Sequence, residues 1–231
     1  MTFLHQFIFG YFPYIALTVF FVGSLIRFDR EQYSWRSGSS QMLRKDLLHL
    51  GSNLFHIGIL LLFFGHFVGL LTPPAIYHAF GLSTAGKQML AIIAGSVFGL
   101  MCLAGLGLLV YRRLTDPRIR KTSSTMDLTI MYLLLAQLIL GLLTIPFSLG
   151  HTDGSVMVLL AEWAQRIVTF RAGAAEALIE VGGIYKLHIF LGMALFVVFP
   201  FSRLVHIWSA PIGYLGRSYQ IVRTRFRTRP V

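Results

Sequence analysis

The chain has 231 residues, of which 55% are hydrophobic and only 13% are charged, and its mean hydropathy is +0.70. Because a soluble globular domain has about 25% charged residues, this composition excludes a soluble domain and indicates an integral membrane protein. The formal net charge of +11 lies mainly in short segments between apolar runs. That distribution is typical of membrane topology and excludes a nucleic-acid-binding surface.

Five apolar runs reach the roughly 20 residues that a helix needs to cross a membrane. The first is too long for the apolar part of a cleaved signal peptide, and no basic stretch precedes it, so we expect it to remain in the protein. The sequence therefore predicts an all-α integral membrane protein with one membrane domain over residues 1–231 and no separate soluble domain. The predicted helices cover residues 3–26, 47–72, 88–111, 128–149 and 185–209, followed by a basic tail over 210–231.

Lys and Arg residues are distributed unevenly between these runs, and such residues concentrate in cytoplasmic loops. The connections 73–87 and 150–184 hold only Lys87, Arg166 and Arg171. The sequence therefore predicts an N-terminus outside and a C-terminus in the cytoplasm. The segments assigned to the cytoplasm hold Arg27, Arg30, Arg36, Arg44, Lys45, Arg112, Arg113, Arg118, Arg120, Lys121, Arg217, Arg223, Arg225, Arg227 and Arg229.

The 150–184 connection contains a stretch with apolar residues at helical spacing. Residues 156–170 place Glu162 four positions before Arg166, which is typical of a short helix lying on the outer surface. An ordered loop is the alternative.

Glycines recur at short spacing in the second and third predicted helices, which indicates close helix packing. A second possibility is that some of them make room for a flat ligand, and Gly65 beside His66 is the best placed for that role. The glycines concerned are Gly51, Gly58, Gly65, Gly69, Gly95 and Gly99.

Four histidines lie within the second and fifth predicted helices, namely His56, His66, His188 and His206. Each unpaired polar group in hydrocarbon costs several kcal/mol, so four of them on two helices indicate a function. Because the two helices run in opposite directions, His56 and His206 share the inner half, and His66 and His188 share the outer half. His188 and His206 are expected on one face, since 18 residues are five helical turns.

Two imidazoles facing each other across a gap are the axial ligands that a six-coordinate haem iron needs. The two pairs therefore predict two stacked b-type haems. The single Cys102 and the absence of a Cys-x-x-Cys-His stretch exclude thiolate sites and c-type attachment. Arg203 is a candidate partner for a haem propionate, and a plain interfacial arginine is the alternative.

The histidines are spaced differently on the two helices, so the two pairs cannot both lie level across the membrane. Ten residues span about 15 Å of the second helix, but 18 span about 27 Å of the fifth. We expect helix tilt, slanted haem planes and a kink at Pro200 to absorb the difference.

Several stretches resemble the gamma subunit of membrane-bound respiratory nitrate reductase, a cytochrome b, over almost the whole chain. They are "SSQML" at 39–43, "SNLFHIGIL" at 52–60, "GHFVGLLTP" at 65–73, "GLLTIPFS" at 141–148 and "FPFSRLVHIWS" at 199–209. The resemblance implies two haem b groups, a distal one held by His66 and His188 and a proximal one held by His56 and His206. It also implies a multi-pass protein of the inner membrane that serves anaerobic respiration.

In this family the gamma subunit accepts electrons from a membrane quinol on the outer side. It delivers them to a cytoplasmic iron–sulfur beta subunit, which feeds a molybdenum-containing alpha subunit where nitrate becomes nitrite. The resemblance places Lys87 at the quinol pocket, where Gly65 and His66 are further candidates. Tyr77 and His78 are candidate proton carriers in the same connection. The Arg-rich inner surface is expected to dock the soluble partners, although helix-flanking charge alone explains most of it.

Two other functions stay open from the sequence. A related haem b anchor could serve a different cytoplasmic reductase with the same histidines. Alternatively, a haem-free transporter or scaffold could use the histidines to move protons.

Overall fold

The computed structural model describes residues 2–150, 152–209 and 216, and every regular element among them is helical. Five helices in this part of the chain are long and apolar enough to cross a membrane, which confirms the predicted number. We number them helix 1 (Phe3–Arg30, with a π-helical turn over Phe7–Tyr11), helix 2 (Leu48–Leu71), helix 3 (Thr84–Thr115), helix 4 (Thr125–Leu149) and helix 5 (Gly183–Val198).

The basic tail lies outside the described residues, apart from Gly216. The arginines that the sequence assigns there to the cytoplasmic side are Arg217, Arg223, Arg225, Arg227 and Arg229.

The long helices form an arc. Helix 2 packs on helix 3, helix 3 on helix 4, helix 4 on helix 5, and helix 5 on helix 1. Within the described residues, helices 2 and 5 are not close-packed neighbours. The buried apolar side chains accordingly form two clusters, one around Cys102 and Met131 on helices 3 and 4, and one around Ala16 and Met193 on helices 1 and 5.

Helices 3 and 4 begin three or four residues earlier than their apolar runs predict, because polar residues cap them. Ser83 Oγ accepts a hydrogen bond from the Gly86 amide. Ser124 and Asp127 bond each other's backbone amides in a capping box. Such caps satisfy amides that have no partner in the first helical turn.

Glycines bring helix 2 against helix 3, as the packing interpretation predicts. A Cβ on Gly58 would lie 2.7 Å from Cys102 Cβ, and one on Gly51 would lie 3.2 Å from the Gly105 carbonyl oxygen. Gly99 similarly faces Leu142 of helix 4, at 2.7 Å from its Cδ2.

The packing interpretation is wrong for three other glycines, because a Cβ there would meet no atom within 4 Å. These are Gly65, Gly69 and Gly95.

The predicted fifth helix over 185–209 is wrong in its second half. The α-helix ends at Val198, a 3-10 turn covers Phe199–Phe201, Ser202 is extended with φ −115° and ψ 176°, and a 3-10 helix covers Arg203–Ser209. Pro200 lacks an amide hydrogen and clashes with a continuing α-helix, so the chain breaks where a kink is expected. His188 and His206 consequently lie on different elements and do not share one helical face.

The 150–184 connection contains the helix expected over 156–170, here Ser155–Val168. Arg166 Nη2 lies 2.7 Å from Glu162 Oε1, one helical turn away. This helix packs against helix 2 and the short Ala174–Ala177 turn.

Candidate functional site

The structure brings together the two histidine pairs that the sequence proposes. The ring centres of His56 and His206 are 6.4 Å apart, with their planes at 72°. Those of His66 and His188 are 6.2 Å apart, with their planes at 41°. Because the break after Val198 replaces a continuous helix, both pairs form despite the unequal spacing of 10 and 18 residues.

Three of the four imidazoles are held by a backbone carbonyl three or four residues earlier in the chain. A carbonyl oxygen only accepts hydrogen bonds, so Nδ1 carries the proton and Nε2 keeps its lone pair free for a metal. Metal-binding histidines are oriented in this way by their second nitrogen. The bonds are His56 Nδ1 to Ser52 O at 2.7 Å, His66 Nδ1 to Leu62 O at 2.7 Å, and His206 Nδ1 to Arg203 O at 2.6 Å.

His188 is positioned by helix 4 instead. Its Nε2 lies 3.4 Å from Gln137 Nε2, and its Nδ1 is buried without a hydrogen-bond partner. A Cβ on Gly141 would lie 2.9 Å from His188 Cε1. Gln137 and Gly141, one helical turn apart, therefore form a slot for this ring. Sequence analysis missed both, since neither belongs to a histidine-bearing helix.

The pairs have the dimensions of a bis-imidazole metal site. Two imidazole–metal bonds of about 2 Å, with about 1 Å from each nitrogen to its ring centre, separate the centres by about 6 Å. Within residues 2–150 and 152–209, no group of three or more His, Cys, Asp or Glu side chains could hold a metal ion. Each pair therefore offers two nitrogens, and a flat macrocycle would have to supply the remaining ligands.

Lys87 lies in the first turn of helix 3 and is only 8% exposed. Its Nζ donates to the Thr72 carbonyl oxygen at 3.4 Å and lies 4.2 Å from the centre of the Tyr77 ring. The structure thus brings the quinol-pocket candidate Lys87 together with the candidate proton carrier Tyr77. The His78 ring lies 4.5 Å from the Tyr77 ring, with the two planes tilted by 52°. His78 is exposed, and its Nδ1 bonds the Leu82 carbonyl.

A cavity of about 220 Å³ lies beside Lys87. Its polar lining comprises Thr72, Tyr77, Lys87, Glu162, Gln165 and Arg171. Gly65 and His66 do not line it, and six residues, about 9 Å of helix, separate His66 from Thr72. Sequence analysis missed the last three lining residues because the fold brings them to Lys87 from the Ser155–Val168 helix, which carries Glu162 and Gln165, and from the chain just after it, which carries Arg171.

Arg203, the propionate candidate, has protein partners. Its Nη2 donates to the Gly38 carbonyl at 2.9 Å, and its Nη1 lies 3.5 Å from Asp127 Oδ1. Its backbone carbonyl orients His206. The structure therefore places Arg203 beside a proposed ligand, with part of its guanidinium engaged by the protein.

Two arginines assigned to topology and partner docking are bonded within the protein, one of them buried and the other half-buried. Arg112 is 4% exposed and bonds Ser40 Oγ at 2.6 Å, the Asp46 carbonyl at 3.1 Å and the Arg44 carbonyl. Arg27 donates to backbone carbonyls beyond helix 5. Both hold loops, so charge position alone overestimates the arginines available at the surface.

Known proteins with similar sequences include nitrate reductase gamma chains. Residues 5–225 match the family model of the nitrate reductase gamma subunit. The chain is 53% identical over 225 residues to respiratory nitrate reductase 1 gamma chain of Escherichia coli strain K12, covering 97% of this chain and 100% of that one. It is 38% identical over 220 residues to nitrate reductase gamma chain of Bacillus subtilis strain 168, covering 95% and 98%. The chain therefore belongs to the nitrate reductase gamma subunit family and is a multi-pass membrane subunit of an oxidoreductase complex.

Proposed function

We propose that this chain is the membrane anchor and quinol-oxidising cytochrome b subunit of a respiratory nitrate reductase. The observation that carries the proposal is the pair of facing imidazoles at each of two levels, 6.2 and 6.4 Å between ring centres. Bound haem b would supply one-electron carriers between quinol on the outer side and an iron–sulfur subunit on the cytoplasmic side. His66 and His188 would hold the distal group, and His56 and His206 the proximal group.

The proposed orientation in the inner membrane puts the N-terminus outside and the C-terminus in the cytoplasm. It is supported by the excess of Lys and Arg in the 27–46 and 112–127 connections over 73–87 and 150–184. Cytoplasmic iron–sulfur beta and molybdenum-containing alpha subunits would dock on the inner face, and nitrate would be reduced there and not on this chain.

The cavity beside Lys87 is the proposed quinol site. Its 220 Å³ is below the roughly 300–1,000 Å³ of pockets that enclose a whole drug-sized ligand, so it suits a headgroup with the tail in lipid. The Lys87 ammonium would donate a hydrogen bond to a quinol oxygen. Tyr77 and His78 would relay the released protons. Gly65 and His66 do not line the cavity, and His66 would receive the electrons as part of the distal pair.

Single histidine replacements test the pairing. His66→Ala or His188→Ala should remove only the outer haem, and His56→Ala or His206→Ala only the inner one, because each haem needs both axial nitrogens. Reduced-minus-oxidised optical spectra and redox titration of the purified complex would resolve the two populations. The pairing is wrong if His66→Ala and His206→Ala empty the same site.

Replacement of Lys87 tests the quinol site. Lys87→Gln should raise the apparent KM for quinol about tenfold or more, because a hydrogen bond to a charged group contributes about 1.5–3 kcal/mol. Haem reduction by dithionite should be unchanged. Lys186→Gln is the matched control, since Lys186 bonds the Ile179 carbonyl and lies outside the cavity. Equal KM values for the Lys87 variant and the native protein would contradict this assignment.

A further inference from the structure

The position of His206 depends on an irregular segment. A continuous helix from His188 would carry residue 206 about 27 Å along its axis, compared with about 15 Å between His56 and His66. The chain instead breaks at Phe199–Phe201, runs extended at Ser202 and resumes as a 3-10 helix. Whatever holds this break therefore determines whether His206 meets His56.

One guanidinium from helix 1 holds the break. Arg27 Nη1 donates to the carbonyl oxygens of Pro200 at 2.6 Å and Ser202 at 2.8 Å. On its other edge, Nη2 donates to the Ser34 carbonyl at 3.0 Å, and Nε to Ser34 Oγ at 3.2 Å. The Pro200 and Ser202 carbonyls lie on either side of Phe201, where the 3-10 turn ends and the chain runs extended before the next 3-10 helix. Hydrogen bonds from a charged donor are about twice as strong as those between neutral groups.

The inner end of helix 1 contacts the same segment at further points. A Cβ on Gly23 would lie 2.9 Å from Pro200 Cγ, so only glycine allows this approach. Ser24 Oγ accepts from Trp208 Nε1 at 3.3 Å. In the following loop, Trp35 Nε1 donates to Ser209 Oγ at 2.6 Å. Contacts before and after His206 therefore tie its segment to helix 1 and the loop that follows it.

We propose that Arg27 is a positioning residue for His206, acting through the Pro200 and Ser202 carbonyls to keep the imidazole opposite His56. The Arg27 guanidinium bonds Ser34, Pro200 and Ser202 and not the His206 ring. The consequence for the inner haem rests on the proposed function, whereas the effect on the His56–His206 distance does not. Replacing Arg27 should therefore affect the inner pair and leave the outer pair, held by helices 2, 4 and 5, intact.

A cross-linking experiment tests the distance without relying on haem. Cysteines replace His56 and His206 in the full-length chain in membranes, with Cys102→Ala to remove the native thiol. A short bis-methanethiosulfonate reagent joins the two thiols, because facing imidazoles 6.4 Å apart at their ring centres hold their backbones too far apart for a direct disulfide. Arg27→Gln should lower the initial rate of cross-linking about tenfold or more, because the segment loses the charged hydrogen bonds to the Pro200 and Ser202 carbonyls. Arg30→Gln, a change at an exposed arginine on the same helix end, should have no effect. Cysteines replacing His66 and His188 provide the outer control pair, whose rate should not change.

An equal rate for the 56–206 pair with and without Arg27 would overturn the proposal, and so would a parallel fall in the 66–188 pair, which would mean general misfolding. In the complex with native histidines, Arg27→Gln should shift the midpoint potential of the inner haem or remove it, while the outer haem stays unchanged. Arg27→Lys should restore this signature in part, since lysine keeps the charge but not the bidentate geometry. A native complex without haem would refute the proposed function and leave the cross-linking result standing.

Discussion

The four central histidines differ in what orients them. His56, His66 and His206 each bond a carbonyl of their own segment, so their rotamers are set locally. The His188 ring lies in the slot formed by Gln137 and Gly141 of another helix. The outer pair is accordingly the one whose geometry depends on the fit between helices 4 and 5.

Gly141→Ala tests this fit. Alanine ordinarily stabilises a helix by up to about 1 kcal/mol over glycine, but here its Cβ would lie 2.9 Å from His188 Cε1. Displacing the ring should cost about 1–3 kcal/mol, as for other overpacked sites. We expect loss or a shifted potential of the outer haem alone in a redox titration.

Gly107→Ala is the control, because a Cβ there meets nothing within 4 Å. Unchanged outer-haem properties in the Gly141 variant would show that the slot does not position His188.

Asp116 gives a pH-dependent prediction outside the membrane helices. The amides of Ile119 and Arg118 donate to its carboxylate at 3.2 and 2.9 Å, and together with Arg44 they lower its pKa below the usual value. A lowered folded-state pKa stabilises the fold above the unfolded pKa of about 3.9 and loses that contribution as the pH falls through the folded value. The native protein should therefore unfold at a higher temperature than Asp116→Ala at neutral pH, and the difference should shrink below about pH 4. A difference independent of pH would contradict the assignment.

At the scale of elements, the seam between helices 2 and 3 depends on glycine. Gly58→Ala would place a Cβ 2.7 Å from Cys102 Cβ and 2.8 Å from its backbone nitrogen. Backbone cannot move aside as a flexible side chain can, so we expect a loss of about 1–3 kcal/mol in the free energy of unfolding, measured in detergent. Gly69→Ala on the same helix meets nothing within 4 Å and should be neutral or slightly stabilising. Equal stability of the two variants would refute the close-packed seam.

How accurately the sequence predicts the ends of a helix depends on whether the apolar run, a capping residue or a proline ends it. Apolar runs identify all five long helices, because burial in lipid requires about 20 apolar residues. Boundaries set by Ser83 and Ser124 are displaced, since caps lie outside the apolar runs. Pro200 predicts a disturbance of helix 5, but the extended Ser202 and the 3-10 helix after it depend on Arg27, which is 173 residues from Pro200.

The candidate site likewise has a part that the sequence predicts and a part that it does not. The two histidine pairs follow from helix direction and position along each helix, because the pairing needs only topology. The slot of Gln137 and Gly141 and the lining from Glu162, Gln165 and Arg171 depend on tertiary contacts that have no local pattern. Gly65 illustrates the limit, since its spacing predicts packing yet nothing lies near its Cβ position.

At the scale of the molecule, the arc of helices separates helix 2 from helix 5, and the four histidines are divided between these two parts of the chain. His56 and His66 lie on helix 2, whereas His188 and His206 lie on helix 5 and the segment after it. Helices 2 and 5 are not close neighbours among the described residues. A group bound between the paired imidazoles would therefore connect these two helices directly. Family membership favours a nitrate reductase over other reductases as the complex that uses this arrangement.

Haem stoichiometry of the purified native complex, with the contribution of this subunit isolated by its b-type absorbance, tests the central claim most directly. The proposed function predicts two b-type haems per chain, with a reduced-minus-oxidised band that titrates in two steps and is reduced by quinol. A chain that co-purifies with its partners and shows no b-type band, or only one haem, would contradict the assignment of two bis-histidine sites.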